Sequence, residues 1–283
     1  MIKRMKYRYF SQNGEDYLLW NLSEYKETGF YVDVGAFDGV HLSNSFSFEQ
    51  QGWSGICIEP HPTYFQLCKQ SRPGALCLNV ACVGSDDVDR TEFYVEKLGL
   101  LSGIQGDRED DIRARYKKRG LKFKGFKRIT VPAATLGAIL TKHVPPETEI
   151  DFISIDVEGT ELEVLQGINL SQFRPRVIVI EANSEQARNS INEHMVQLNG
   201  YVEARRLPVN ILYTRDAKDA DALRAISVDC LFERVLHPLG KKYTAREQIY
   251  GPMIRQPTYS LQVIALVRRW ILTKMLTVLG SKS

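Results

Sequence analysis

A chain of 283 residues that is 43% apolar and 25% charged has enough apolar mass for a sizeable core, which excludes a disordered or fibrous protein; its length allows one large domain or two small ones. Lysine and arginine number 37 against 34 acidic residues, a margin too small to argue for nucleic acid on its own. No uncharged apolar stretch reaches the length of a membrane span, residues 1–8 are basic with no apolar run behind them, and the five cysteines form no C-x-x-C pair. These features predict a cytoplasmic protein without a signal peptide, whose cysteines are reduced core residues rather than disulfides or a zinc site.

Taken in order, residues 11–16 precede an apolar-periodic segment at 17–22. Ser11 or Asn13 is expected to cap that helix. Residues 31–39, Tyr31-Val-Asp-Val-Gly-Ala-Phe-Asp-Gly39, read as a buried strand running into a glycine turn, with a helix at 44–51. Such a unit is expected to present free backbone N–H groups and a helix dipole at the carboxyl edge of a sheet, where ligands bind in open α/β folds. The spacing is G-x-x-x-G, so the dinucleotide fingerprint G-x-G-x-x-G is absent. Asp33 sits inside the apolar run, where an acid suits a cationic or hydrogen-bond-donating ligand. His41 and Asn44 follow the turn and are expected to overlook a pocket mouth. A second strand at 55–59 ends in Glu59, placed to accept the hydroxyls of a ribose. Pro60 stops that strand, Pro62 suits a helix start near Thr63, and His61 reads as a surface histidine. A third strand is expected over 75–83, with Asn79, Val80 and Ala81 as a wall for an adenine. Residues 91–95 read as an accessory strand.

Residues 98–128 differ in character. A loop and an acidic patch lead into nine basic residues from Arg113 to Arg128, interleaved with Tyr116, Phe123 and Phe126. The stretch is either a solvated helix and loop or a lid that binds an anionic, phosphate-bearing acceptor; RNA fits it less well. A short helix at 135–141 precedes a fourth strand at 150–155, which ends in Asp156, Glu158 and Glu161. A fifth strand at 177–180 ends at Glu181, with Asn183 just after. Acids ending adjacent parallel strands lie about 5 Å apart and must share a proton or bind a cation. Asp156 and Glu181 are thus candidates for general base chemistry. With Asn183 or Glu158 they are also candidates for magnesium, and otherwise they are a structural acid pair. Residues 185–198 are helical, with His194 structural, and 201–213 and 226–233 read as closing strands that bring in Asn210 and Asp229. Residues 238–283 form an appendage. Its apolar segment at 259–279, broken by Arg268, Arg269 and Lys274, either docks on the domain or a dimer partner or lies on a membrane surface.

The motifs Ser11-Gln-Asn-Gly-Glu-Asp16, Val32-Asp-Val-Gly-Ala-Phe-Asp-Gly39, Ile58-Glu-Pro60 and Ile155-Asp-Val-Glu-Gly-Thr-Glu161, followed by Glu181, resemble in order those of the FkbM-type S-adenosylmethionine-dependent methyltransferases. The resemblance covers roughly residues 10–185. It implies a Rossmann-like α/β domain over 1–237, with a seven-stranded, mostly parallel sheet and helices on both faces. It implies methyl transfer to a hydroxyl oxygen, often of a sugar or natural product. Ser11 and Gln12 would lie near the cofactor's methionine end, with Asp33, Gly35, Ala36 and Gly39, while Glu59 would hold the ribose. Asp156 or His41, or Glu181 beside them, would orient or deprotonate the acceptor. A nicotinamide-dependent oxidoreductase, a binding protein without turnover and an RNA methyltransferase are the competing readings.

Overall fold

The strands Phe30–Val34 (β1), Phe152–Ile155 (β7) and Val177–Glu181 (β8) are apolar on both faces, and such strands pair in parallel between two layers of helices. The computed structural model describes residues 9–96, 101–106, 109–118 and 122–226. Within them β1, Ser54–Ile58 (β2), Ala75–Leu78 (β3), β7, β8, Val202–Arg206 (β9) and Asn210–Thr214 (β10) form one seven-stranded sheet in the order β3-β2-β1-β7-β8-β10-β9. β10 runs antiparallel to both neighbours; the other pairs are parallel. The chain winds outward from β1 through β2 to β3, then restarts at β7 beside β1. That reversal opens a crevice at the carboxyl ends of β1 and β7.

Strand alternation sends successive side chains to opposite cores. Val32, Ile56, Ile153, Ile155, Ile178 and Ile180 meet Leu136–His143 (α5), Glu161–Gln166 (α6), Leu170–Phe173 (α7), Glu185–Asn192 (α8) and a π-helical turn, Glu193–Leu198. Tyr31, Cys57, Phe152, Val177 and Val179 meet Glu15–Leu22 (α1), Phe46–Glu49 (α2), Pro62–Ser71 (α3) and Ala217–Ala225 (α9). A smaller sheet, Ala81–Val83 (β4), Lys127–Thr135 (β6) and Arg90–Val95 (β5), encloses Ala81, Phe93 and Val131. Between β5 and β6 lies the basic insertion with its helix Glu109–Lys118 (α4). Its aromatics do not face outward as a stacking surface: Tyr116 and Phe123 are buried with Leu101 and Ile112 in a core of the insertion's own, and Phe126 packs against them.

Several expected elements differ. The single strand at 75–83 is two strands in two sheets. The Asn79 side chain donates to the carbonyls of Glu59 and Pro60, 2.8 and 3.0 Å away, and the chain turns there. The helix at 44–51 is only the single turn of α2, because Ser43 and Ser45 are spent on side-chain bonds to Asp33. The N-cap of α1 is Gly14 at φ 89°, not Ser11 or Asn13, although the Ser11 hydroxyl accepts the Gly14 and Asp16 amides. His61 is buried rather than on the surface. It caps α3, with Nδ1 accepting the Thr63 amide at 3.2 Å and the ring 4.5 Å from Tyr64. The segment 201–213, expected as one closing strand, holds β9 and the start of β10 as a hairpin, and α9 follows. Of the strand expected at 226–233 only Ile226, the C-cap of α9, is described; the remainder, with Asp229, and the appendage at 238–283 lie outside the described residues. No described helix is long and apolar enough to cross a membrane.

Candidate functional site

The crevice deepens into a cavity of about 350 Å³, within the range of small-molecule sites. Gln12, Asp33, Gly35, Ala36, His41, Glu59, Ala81, Asp156, Glu181 and Asn183 all line it. Ser11, Gly39, Asn79 and Val80 do not. Ser11 is a buried prop: its hydroxyl donates to Asp16 at 2.5 Å, and it bridges to Leu42, which sets the path of Gln12. Gly39, at φ +82°, faces α3, where an added Cβ would stand 2.7 Å from Arg72 Cγ. Asn79 ties two strand ends, as above, and Val80 packs on the core.

The glycine turn does not offer the free amides expected of it. Gly35 and Ala36 both donate to the Ile58 carbonyl, at 2.9 and 3.0 Å, and Gly39 donates to Ala36. The Phe37 amide donates to Glu59 at 2.8 Å, and those of Val40 and His41 donate to Asp38. The amides stiffen the turn, and recognition falls to side chains. Gly35 is required for a different reason. At φ +87° its missing Cβ would sit 1.7 Å from the Asp156 carbonyl, so β1 and β7 touch where the cavity begins.

Asp33 accepts hydroxyls from Ser43 at 3.3 Å and from Ser45. Both serines also accept from the fully buried Arg72 guanidinium, which donates to the Gly39 carbonyl at 2.8 Å and pairs with Glu49 at 2.5 Å. Burial pushes the Asp33 carboxyl up to about 6, against the pull of Arg72 and the two hydroxyls. Glu59 accepts the Phe37 amide on one oxygen and the His61 amide, at 2.7 Å, on the other. Those bonds hold both oxygens in place, and each keeps a lone pair for a ligand hydroxyl. Burial raises this carboxyl to about 8.

Opposite, Asp156 and Glu181 meet across the ends of β7 and β8. Oxygens of Asp156, Glu158 and Glu181 lie within 4.8 Å of one another. Asp156 is exposed to solvent through the cavity, although protein crowds its carboxyl. Burial, then the charges of Glu158 and Glu161, holds its carboxyl well above the usual range; burial and the Asp156 charge do the same to Glu181. Two carboxyls so placed resist ionising together. Asn183 and His41 line the same cavity, with the His41 backbone tied to Asp38.

Sequence reasoning missed the pair Asn44–Ser154, in which the amide donates to the hydroxyl at 2.9 Å on the cavity floor, although Ser154 is visible as the polar residue of an apolar strand. It also missed Phe37, whose ring lies 4.1 Å from that of Tyr64 at a 30° tilt, and Phe93, Ser102 and Ile104 from the second sheet and insertion. No local signal places those last three, because the distance in sequence is bridged only by the fold.

The family model of the methyltransferase FkbM domain matches residues 33–205, more than half of the chain. No curated protein matches. Among solved structures, the METTL16 MTase domain is similar over 71% of this chain and 66% of its own, just under two thirds, at TM-score 0.40 and 9% identity. The precorrin-6y C5,15-methyltransferase from Geobacter metallireducens GS-15 is similar over 71% and 86%, at TM-score 0.39 and 12% identity. M. capricolum TrmK in complex with S-adenosyl-homocysteine is similar over 71% and 68%, at TM-score 0.37 and 10% identity. The sequence match alone carries the assignment: the chain belongs to the methyltransferase FkbM domain family.

Proposed function

We propose that the protein is an S-adenosylmethionine-dependent O-methyltransferase whose acceptor is a hydroxyl of a sugar or glycoconjugate. One observation carries this reading: four acids, Asp33, Glu59, Asp156 and Glu181, mark four strand ends around a single cavity. The donor set fits the cofactor. Glu59 at the tip of β2 presents two fixed carboxylate oxygens to a ribose, Asp33 and Gln12 suit a cationic amino-acid end, and the absence of a Cβ at Gly35 lets β1 and β7 close up beneath them. When bound, S-adenosylmethionine supplies an electrophilic methyl group on a sulfonium.

The chain's own part is to hold the acceptor oxygen in line and to receive its proton. A sugar hydroxyl is a poor acid, so its proton passes to an Asp156 oxygen as the new bond forms. Glu181, sharing the pair's remaining proton, keeps Asp156 oriented. His41 borders the acceptor. Alignment supplies most of the rate and the base a further factor of about 10²–10⁴. The same acids, with Asn183, are the oxygen set a magnesium ion would use. A proton shared by the pair is favoured because burial and the charge of neighbouring acids hold both carboxyls well above the usual range. The exposed Arg113, Lys117, Lys122 and Lys124 suit a phosphate on the acceptor, and the buried Tyr116 and Phe123 leave RNA bases no platform there.

The test is transfer from labelled cofactor to free sugars, sugar phosphates and nucleotide-linked sugars, with and without a chelator. Asp156→Asn is expected to lower turnover at least about a hundredfold while cofactor affinity stays within a few-fold. Chelator-sensitive turnover would replace the shared proton by a metal. Preferred, salt-sensitive transfer to RNA would overturn the sugar reading. Cofactor binding without transfer to any acceptor would favour a binding protein.

A further inference from the structure

Three cysteines that sequence spacing leaves unrelated converge behind the glycine turn. Cys57 on β2 and Cys77 on β3 are register partners on adjacent strands, and Cys68 reaches them from α3. Their sulfurs all lie within 4.8 Å of one another, and those of Cys68 and Cys77 are 3.8 Å apart. The three differ in access. Cys57 and Cys68 are fully buried, whereas Cys77 is only partly buried. Arg72, one turn beyond Cys68, places a buried cation beside the group. Hydrogen bonds from Cys57 and Cys68, with the Arg72 charge, hold the Cys77 thiol below its ordinary range, while the other two are raised.

We propose that Cys68 and Cys77 form a reversible disulfide under peroxide, clasping α3 to β3 and weakening ligand binding in the cavity. The accessible Cys77 thiolate attacks one peroxide oxygen, the O–O bond breaks, and the hydroxide released leaves as water, giving a sulfenic acid. The Cys68 sulfur then attacks the Cys77 sulfur. An S–S bond forms, the S–O bond breaks, and the second oxygen leaves as water with the Cys68 proton. Two thiols are oxidised by two electrons, and one hydrogen peroxide is reduced to two waters. Cys57 is not the partner: it faces Cys77 directly across a parallel strand pair, whereas Cys68 comes from a separate element that can shift.

The clasp acts on the cavity through Gly39. The position of its missing Cβ is 3.1 Å from the Cys68 sulfur and 2.7 Å from Arg72 Cγ, and Arg72 donates to the Gly39 carbonyl. Closing the sulfurs from 3.8 Å to about 2 Å moves the turn of α3 against which the glycine loop is packed. Packed interiors transmit such shifts. The effect on affinity rests on the cofactor reading above; the disulfide itself does not.

The experiment treats the full chain with hydrogen peroxide, blocks remaining thiols, and maps linked peptides by mass. S-adenosylhomocysteine is titrated into the same samples before and after reduction. A Cys68–Cys77 link is expected in the wild type and in Cys57→Ser, and not in Cys68→Ser or Cys77→Ser. The oxidised protein should bind about tenfold more weakly, with full recovery on reduction. Absence of the link, a link through Cys57, unchanged affinity in the linked protein, or a tightly held zinc ion that shields the three thiols would each overturn the proposal. Failure of the reduced protein to bind S-adenosylhomocysteine would count against the cofactor reading, and the mapped link would still decide the thiol chemistry.

Discussion

A methyl group at Gly35 would stand 1.7 Å from the Asp156 carbonyl, on a residue whose φ is +87°. Neither the backbone clash nor the left-handed conformation can be relieved by turning a side chain. Gly35→Ala is therefore expected to cost at least about 3 kcal/mol, read as a lower urea midpoint, and to separate β1 from β7 at the cavity floor. Glu59 makes a pH prediction. Its carboxyl, ordinarily near 4.5, is held at about 8 by burial. Below that pH it carries a proton, and a carboxylate is the form that accepts two ribose hydroxyls. Cofactor affinity should rise with pH, by up to about tenfold per unit, and level off above 8; titrations between pH 6 and 9 would show it. Glu59→Gln should give a weaker and flat profile. In the unliganded fold the same shift has the opposite sense: its contribution to stability is full below 4.5 and is lost as pH climbs to about 8.

At the scale of elements, α3 supports the site from behind. Arg72 spans from α3 to the Gly39 carbonyl, to Ser43 and Ser45, and to Glu49 on α2, so one guanidinium joins a helix, a turn and the hydroxyls that bond Asp33. Arg72→Met keeps the length but leaves Glu49 and Asp33 buried without their cation. A loss of about 3–5 kcal/mol by urea unfolding is expected, against little change for the exposed Arg113→Met. This support was not legible in the sequence, where Arg72 is one charge near a helix end. The strands were legible because apolar runs ending in acids have a local period, and so was the helix at 135–141, although its first residue, Thr135, proves to be the N-cap of α5, its hydroxyl accepting the Ala138 amide at 3.1 Å. The splitting of 75–83 was not, since it depends on Asn79 reaching carbonyls some twenty residues away. The closing hairpin was hidden because Leu207-Pro-Val turns the chain inside what reads as one long strand.

Across the whole molecule, the sheet reverses its winding between β1 and β7, and every acid singled out in the cavity stands at or near a carboxyl-terminal strand end on that edge. Sequence motifs could reveal this much because each belongs to one strand and the turn after it. They could not reveal the roof, to which Phe93, Ser102 and Ile104 contribute from a second sheet and an insertion. On the function proposed above, acceptor choice would lie there, while β1 and β2 would build the cofactor end. The β1–β2 edge is thus expected to bind S-adenosylmethionine, with Glu59 as the ribose anchor. Calorimetric titration of S-adenosylhomocysteine into the wild type and into Glu59→Ala tests it most directly. Micromolar binding by the wild type, weakened at least about thirtyfold in the variant, is the predicted result, a loss of about 2 kcal/mol for a charged hydrogen-bonding group. Absence of wild-type binding, or equal binding by both proteins, would contradict it.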